Sequence, residues 1–346
     1  QDMEFKTEIL KNNEVKIDDQ FIGKIKGLKL ELDLKKGALK TDIKSLKKAA
    51  RQTIGPELER RIQNIIDTGL VELNNDFKIY WNDFAIAKLI PGNDYLSPNF
   101  ELIVDDSLEQ NQKMKLNSFI KKWLKNKINI ILQSLIDLKN IKDKHSSIKA
   151  LAYQLYENNG VLKRENVSEY LKNLGQNERK ILRDLGVKFG RYHIFLHKLI
   201  KPEPVTIRTL LWKNYHQKYF KLNPPTFGLN FIEDNNNNKN FMLLCGFEKF
   251  NNFFVRIDIL ERLFMQIINS GSDEKNEIKL IPEMLNLLGC SKDNFKKLIR
   301  NMNYKVIEKD QETFFKYTPQ KKNKKPFNKT VNKVNPFEVL KNLNLG

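Results

Sequence analysis

Short apolar runs broken by polar pairs dominate the first hundred residues. The runs are residues 5–10, 15–18, 21–32, 77–81, 84–89 and 100–104. The first three predict a β-meander with Gly23 and Gly27 as weak points in its last strand, and the others predict a hairpin and a further strand. Between Thr41 and Asp67, apolar residues recur every three or four positions, which predicts a helix that Gly55-Pro56 kinks or divides.

After Asp106 the apolar spacing becomes almost wholly helical. The predicted helices are residues 108–138, 147–157, 164–174, 177–185 and 205–220. Because these helices fill most of the central chain, we predict a mainly α fold with an α+β N-terminal portion.

Residues 241–317 have a different pattern, in the order helix, short strand, helix, turn, helix and hairpin. The three-residue turn Gly289-Cys290-Ser291 between two short helices is its most specific feature. This order is typical of a winged helix-turn-helix, and its second helix, residues 291–302, would be the nucleic-acid reader. The sequence therefore predicts a winged-helix-like C-terminal unit.

These patterns divide the chain into four parts. We predict an α+β domain at residues 1–106, a helical domain at 107–225, a winged-helix-like domain at 226–318 and a basic, disordered tail at 319–346. The tail contains Lys321, Lys322, Lys324, Lys325, Lys329 and Lys333 and no acidic residue before Glu338. Residues 235–238, four asparagines, are interpreted as an exposed linker.

The net charge of +19 is the strongest compositional signal, and it attracts polyanions. Only 11 of the 61 basic residues are Arg and Asn is abundant, a bias expected from an AT-rich genome, so clustering of charge is more informative than its total. No run reaches the length of a membrane helix. The two cysteines exclude a disulfide framework and indicate a reducing cytoplasm.

Catalytic motifs are absent from the sequence: it contains no phosphate loop, no G-x-G-x-x-G, no H-E-x-x-H and no G-x-S-x-G. His193 and His197 have the spacing that on a helix would place two imidazoles on one face, as a metal site requires. No third ligand is suggested, which favours ordinary packing or phosphate contact over a metal. We predict no catalytic, cofactor or metal residues in this chain.

Two basic clusters remain. Six lysines between Gln110 and Ile136, with no acid among them, are interpreted as a solvated helix face opposite the core. The second cluster, residues 186–223, mixes eight cations with seven aromatic residues and a single acid, Glu203. Cations bind phosphates and aromatic rings stack on unpaired bases, so this mixture suits a single strand. The alternative is that the aromatic residues belong to the core and the lysines surround it.

The run Leu185–Leu196, LGVKFGRYHIFL, is similar to part of the C-terminal region of alphaproteobacterial helicase-related proteins. These are superfamily-two DExH enzymes related to the mitochondrial degradosome RNA helicase. Further segments resemble the family in the same order: residues 21–27, 79–83, 87–89, 199–202, 210–212, 255–263, 287–290 and 335–337. The resemblance implies a multi-domain accessory region of an ATP-dependent helicase.

The family's motor domains, with their sites for ATP and magnesium, lie upstream of the matching segment and are absent here. We therefore expect a fragment that grips or guides RNA or single-stranded nucleic acid, located in the cytoplasm, beside N-terminal motor domains. The residues expected to contact nucleic acid are Lys188, Arg191, Tyr192, His193, Phe195, Lys198, Lys201, Arg208, Lys292, Lys296, Lys297 and Arg300. The alternative is a protein-interaction scaffold that docks a nuclease or the ribosome through the winged-helix-like unit.

Overall fold

The structure, a computed structural model, describes residues 6–33, 40–141, 146–234 and 238–319. It is 47% helical and 24% strand, and its strands form five small antiparallel sheets. The prediction of a mainly α fold is therefore wrong. Strands of only three or four residues, such as Val161–Lys163 and His193–Leu196, are too short to show alternation beside longer helices.

The winged-helix-like arrangement is not confirmed, although the elements follow the predicted order. The described residues form two compact units, one lying within residues 1–269 and 282–290 and the other within residues 270–281 and 291–319. The helices before and after the Gly289-Cys290-Ser291 turn fall in different units. The division into four domains stays a prediction, and the basic tail from residue 320 onward and linker residues 235–237 lie outside the described residues.

The predicted strand at residues 21–32 is two strands rather than one, because the chain turns at Gly27, but the predicted β-meander is confirmed as the first sheet. Its strands, paired in chain order, are β1 (Thr7–Ile9), β2 (Glu14–Ile17), β3 (Gln20–Lys26) and β4 (Lys29–Leu32). A Cβ atom at Gly23 would lie 2.2 Å from the carbonyl oxygen of Glu31, so β3 and β4 can approach closely only at a glycine. Gly27 has a φ of 61° in the turn between them.

Helix α1 (Lys40–Thr68) is one helix that contains Pro56, so it is not divided there. A second sheet follows in the order β5 (Val71–Leu73), β6 (Lys78–Trp81), β7 (Phe84–Ile90) and β8 (Asn99–Leu102), which confirms the predicted hairpin. Arg61 of α1 donates from Nη1 to the carbonyl oxygen of Gly27 at 2.8 Å and from Nη2 to Asn13 Oδ1 at 2.6 Å. This buried arginine holds α1 against the first sheet.

The predicted helix at residues 108–138 is two helices, α2 (Gln110–Ile131) and α3 (Gln133–Lys139), because Leu132 leaves helical geometry at φ −105°. In α2 the buried side chains are Leu116, Ile120, Leu124 and Ile128. Their spacing of four residues places them in one stripe and leaves the lysines on the remaining faces.

The central region combines short helices with a three-stranded sheet in the order β10-β11-β9. Its elements are α4 (Ser146–Glu157), β9 (Val161–Lys163), α5 (Ser168–Lys172), α6 (Gln176–Asp184), β10 (Val187–Phe189), β11 (His193–Leu196) and α7 (Pro202–His216), with 3-10 helices at Arg164–Val167 and His197–Ile200. The run that resembles the helicase family thus forms a β-hairpin. It includes the two strands and the intervening turn.

The first unit continues with a sheet in the order β12-β14-β13. Its elements are β12 (Phe231–Glu233), α8 (Lys239–Leu244), β13 (Phe247–Phe250), β14 (Phe253–Arg256), α9 (Ile257–Ser270) and α10 (Pro282–Leu288). Most buried apolar side chains of this unit belong to one cluster that includes Val15, Ile62, Leu124 and Leu211. A second cluster surrounds Phe241.

The second unit contains β15 (Ile278–Lys279), α11 (Lys292–Asn301), β16 (Tyr304–Lys309) and β17 (Glu312–Tyr317), with sheet order β15-β17-β16. Ser291 is the N-cap of α11, since its Oγ accepts from the Asn294 N–H at 3.1 Å. Throughout the described ranges, no helix combines the length and apolar character needed to cross a membrane.

Candidate nucleic-acid interface

The β10–β11 hairpin closes through a turn at Gly190, Arg191 and Tyr192. The Gly190 N–H donates to the carbonyl oxygen of His193 at 2.8 Å. Arg164 reinforces the turn, because its Nη1 donates to the Gly190 carbonyl oxygen at 2.8 Å and its N–H donates to the Tyr192 carbonyl oxygen at 2.9 Å. The turn is therefore fixed from the side of β9.

The carboxylate of Glu261, on α9, fixes the same turn by accepting from three consecutive backbone N–H groups. The N–H of Arg191 donates to Oε2 at 2.5 Å, and those of Tyr192 and His193 donate to Oε1 at 2.8 and 2.9 Å. A Cβ atom at Gly190 would lie 2.5 Å from Glu261 Cδ, which explains a glycine at that position. Consecutive N–H groups of this kind form an anion-binding concavity, and here a carboxylate of the chain itself fills it.

His193 connects Glu261 to a second buried carboxylate. Its Nε2 lies 3.0 Å from Glu248 Oε2, and its Nδ1 lies 3.5 Å from Glu261 Oε1. Lys163 Nζ lies 3.3 Å from Glu248 Oε1. Burial alone lowers the pKa of His193, but the hydrogen bonds and charges of the two carboxylates outweigh it and raise that pKa. The two carboxylates thus favour the charged form of the imidazole.

Burial by itself would raise the pKa of each carboxyl. The opposing contributions prevail, so the pKa of Glu248 and that of Glu261 both lie below their ordinary value. For Glu248 these contributions come from His193 and Lys163, and for Glu261 from His193 and the three N–H groups of the turn. Both groups are therefore carboxylates at neutral pH.

The hairpin carries two exposed cations, one in the turn and one on strand β10. Arg191 is exposed, and its guanidinium carbon lies 5.1 Å from the ring centroid of Phe264. Tyr192 packs edge-on against the same ring, with centroids 5.1 Å apart. Lys188 on β10 is also exposed. Neither Lys188 nor Arg191 forms an ion pair with any residue that the structure describes.

The predicted contact residues differ widely in exposure. Lys188, Arg191, Lys198, Lys201, Lys292, Lys297 and Arg300 are exposed, Tyr192 and Lys296 are partly buried, and His193, Phe195 and Arg208 are buried. Lys296 forms an ion pair with Glu308. The three buried side chains have no free surface for a ligand in this conformation, because Phe195 lies within the core and Arg208 donates to the Asn159 carbonyl oxygen at 2.5 Å.

His193 and His197 do not lie on one helix. His193 is in strand β11, while His197 begins a 3-10 helix and its Nδ1 lies 3.1 Å from the Gly186 carbonyl oxygen. Across the described part of the chain, no three His, Cys, Asp or Glu side chains are grouped to hold a metal ion. Burial raises the pKa of Cys245 to about 12 and that of Cys290 to about 11, so both thiols stay protonated at neutral pH.

Two features of this region were not predicted. Glu248 and Glu261 carry no local signal, since they lie 55 and 68 residues from their histidine partner. In the last turns of α7 and the residues after it, the sequence does not distinguish buried from exposed aromatic residues. Trp212 is buried, whereas Tyr215, Tyr219 and Phe220 are 38%, 41% and 50% exposed. Lys218 and Lys221 beside them are also exposed.

Comparison of the chain with known protein families, curated proteins and solved structures finds no match.

Proposed function

We propose that this chain is a nucleic-acid-binding accessory region of an ATP-dependent helicase, which grips or guides an RNA or DNA single strand. The observation that carries the proposal is the β10–β11 hairpin, whose turn is fixed by hydrogen bonds from Arg164 and to Glu261. Lys188 and Arg191 of this hairpin are exposed and form no ion pair with any described residue. A rigid element loses little conformational entropy when it binds, so cations fixed in this way favour binding to phosphates.

The aromatic residues at the end of α7 favour a single strand over a duplex. Exposed rings next to lysines offer stacking surfaces for unpaired bases, and each stacked base contributes about 1–3 kcal/mol. A duplex hides those base faces and would use the lysines alone. Tyr219 itself stacks on Trp212 at a centroid distance of 5.0 Å, which fixes one ring of this surface.

In this proposal, ATP and magnesium belong to motor domains on the N-terminal side, and the place of action is the cytoplasm. The resemblance of residues 185–196 to the helicase family supports this assignment. The scaffold that docks a nuclease or ribosome is the competing function. Capture of such a partner that survives nuclease treatment would favour the scaffold.

Replacement of both hairpin cations, Lys188→Ala with Arg191→Ala, tests the proposal. We expect weaker binding to a 20-nucleotide single-stranded RNA, measured by fluorescence anisotropy at several salt concentrations. Because each lost phosphate contact on a single strand removes about 0.7 from the slope of log K against log salt, the double variant should lose about 1.4.

The matched control is Lys24→Ala with Lys29→Ala, which removes the same charge from exposed positions on the first sheet. Its slope should stay close to that of the wild type, apart from a small change from net charge. An unchanged slope in the hairpin variant, or equal changes in both variants, would refute a specific role of the hairpin.

A further inference from the structure

Helices α1 and α2 line a groove with a volume of about 1100 Å³. Its lining residues are Gln63, Ile66, Met114, Lys115, Ser118, Phe119, Lys122, Trp123, Lys125, Asn126 and Asn129. Nine of these eleven belong to α2, at spacings of three and four residues, so they form a continuous stripe along that helix. Three of the α2 lysines, Lys115, Lys122 and Lys125, line this groove.

The charge of this groove has one sign. Lys115, Lys122 and Lys125 are exposed and form no ion pair with any described residue. No Asp or Glu lines the groove, and none occurs within α2. A helix face that only contacts water usually mixes both signs in pairs three or four residues apart. The unmixed positive charge indicates an anionic partner.

Aromatic rings lie between these cations. Phe119 and Trp123 are half-buried, so one part of each ring packs against the core while the rest faces the groove. Lys127 Nζ lies 5.5 Å from the Trp123 ring centroid. The core fixes these rings, so stacking on them costs little side-chain entropy. The amides of Asn126 and Asn129 add donors and acceptors suited to base edges, whereas Gln63 Nε2 already donates to Asp67 Oδ1 at 2.8 Å.

We infer that the α1–α2 groove is a second binding site for a nucleic-acid single strand. Alternating cations and rings match a ligand that alternates phosphates and bases, whereas an acidic peptide would use only the cations. From Met114 to Asn129 the stripe is about 22 Å long at 1.5 Å per residue, enough for about six nucleotides. The ligand class in this inference rests on the proposed function, but the groove shares no residue with the β10–β11 hairpin.

Trp123 makes this site directly measurable. We expect a hexauridylate to quench the fluorescence of the full chain when a base stacks on Trp123. The variant Trp123→Phe keeps an aromatic ring in the core, and it should lose that quenching while binding with similar affinity. Lys115→Ala with Lys122→Ala and Lys125→Ala should weaken binding about tenfold or more at 0.1 M salt and lower the salt slope by about 2.

The matched control is Lys24→Ala with Lys29→Ala and Lys88→Ala, three exposed lysines elsewhere in the first unit. Quenching of undiminished size in Trp123→Phe, or equal losses in both triple variants, would overturn the inference. So would a hexaglutamate peptide that quenches Trp123 with the same affinity, since it would assign the groove to an acidic peptide. The hairpin variant Lys188→Ala with Arg191→Ala should leave the Trp123 signal unchanged, so failure of the groove and failure of the hairpin are distinguishable.

Discussion

Glu261→Ala should lower the free energy of unfolding by about 3–5 kcal/mol, the usual cost of removing one member of a buried charged pair. The substitution leaves three backbone N–H groups of the β10–β11 turn without their acceptor and leaves His193 with one carboxylate. Each buried donor that loses its partner adds its own desolvation cost. Urea unfolding at pH 6, monitored by circular dichroism, measures the loss.

Two further variants separate the loss of this buried carboxylate from the loss of any acidic side chain. Glu261→Gln keeps one oxygen acceptor and should lose less, about 1–3 kcal/mol. Glu101→Ala on β8, an exposed position, should stay within about 0.5 kcal/mol of the wild type. A loss below about 1 kcal/mol for Glu261→Ala would show that the carboxylate does not hold the turn.

His193→Gln should destabilise the protein by about 3 kcal/mol near pH 6, because it leaves two buried carboxylates without their shared cation. The pKa of His193 is raised, so its contribution is complete below the ordinary value near 6.5 and is lost as pH rises through the folded pKa. The pKa values of Glu248 and Glu261 are lowered, so their contribution is present above about 4.5 and is lost as pH falls through their folded values.

The difference in stability between wild type and His193→Gln should therefore be largest between about pH 4.5 and 6.5 and should shrink on either side. Urea unfolding of both proteins at half-unit steps from pH 4 to 9 gives this profile. His216→Gln, at an exposed histidine, is the control and should give a nearly flat difference. A flat profile for His193→Gln would contradict the charged carboxylate–histidine–carboxylate arrangement.

Local chemistry made several elements predictable. The β-meander and the β6–β7 hairpin follow from alternation and turn residues within a few positions, and the cap at Ser291 follows from one hydroxyl and the helix after it. The run at residues 185–196 forms a β-hairpin. Its conformation was not predicted, because four-residue strands carry too little periodicity to be told from helix.

Long-range placement was not predictable. Glu261 contacts its turn across 68 to 70 residues of sequence, and nothing near it marks it as different from other acids. The burial of Arg208 could not be predicted for the same reason, because its partner, the Asn159 carbonyl oxygen, lies 49 residues away. The lysines of α2 gave a visible cluster, but only the packing of α1 beside α2 places Phe119 and Trp123 in a groove with them.

The salt dependence of wild-type binding tests nucleic-acid binding most directly. The measurement is the affinity for a 20-nucleotide single-stranded RNA by fluorescence anisotropy from 50 to 300 mM salt. Lys188, Arg191, Lys198 and Lys201 are all exposed, and four contacts at about 0.7 each predict a slope of log K against log salt of about −3. Binding with a slope near that value or steeper is the expected result. Absence of binding at 50 mM salt, or a slope near zero, would contradict the proposed function.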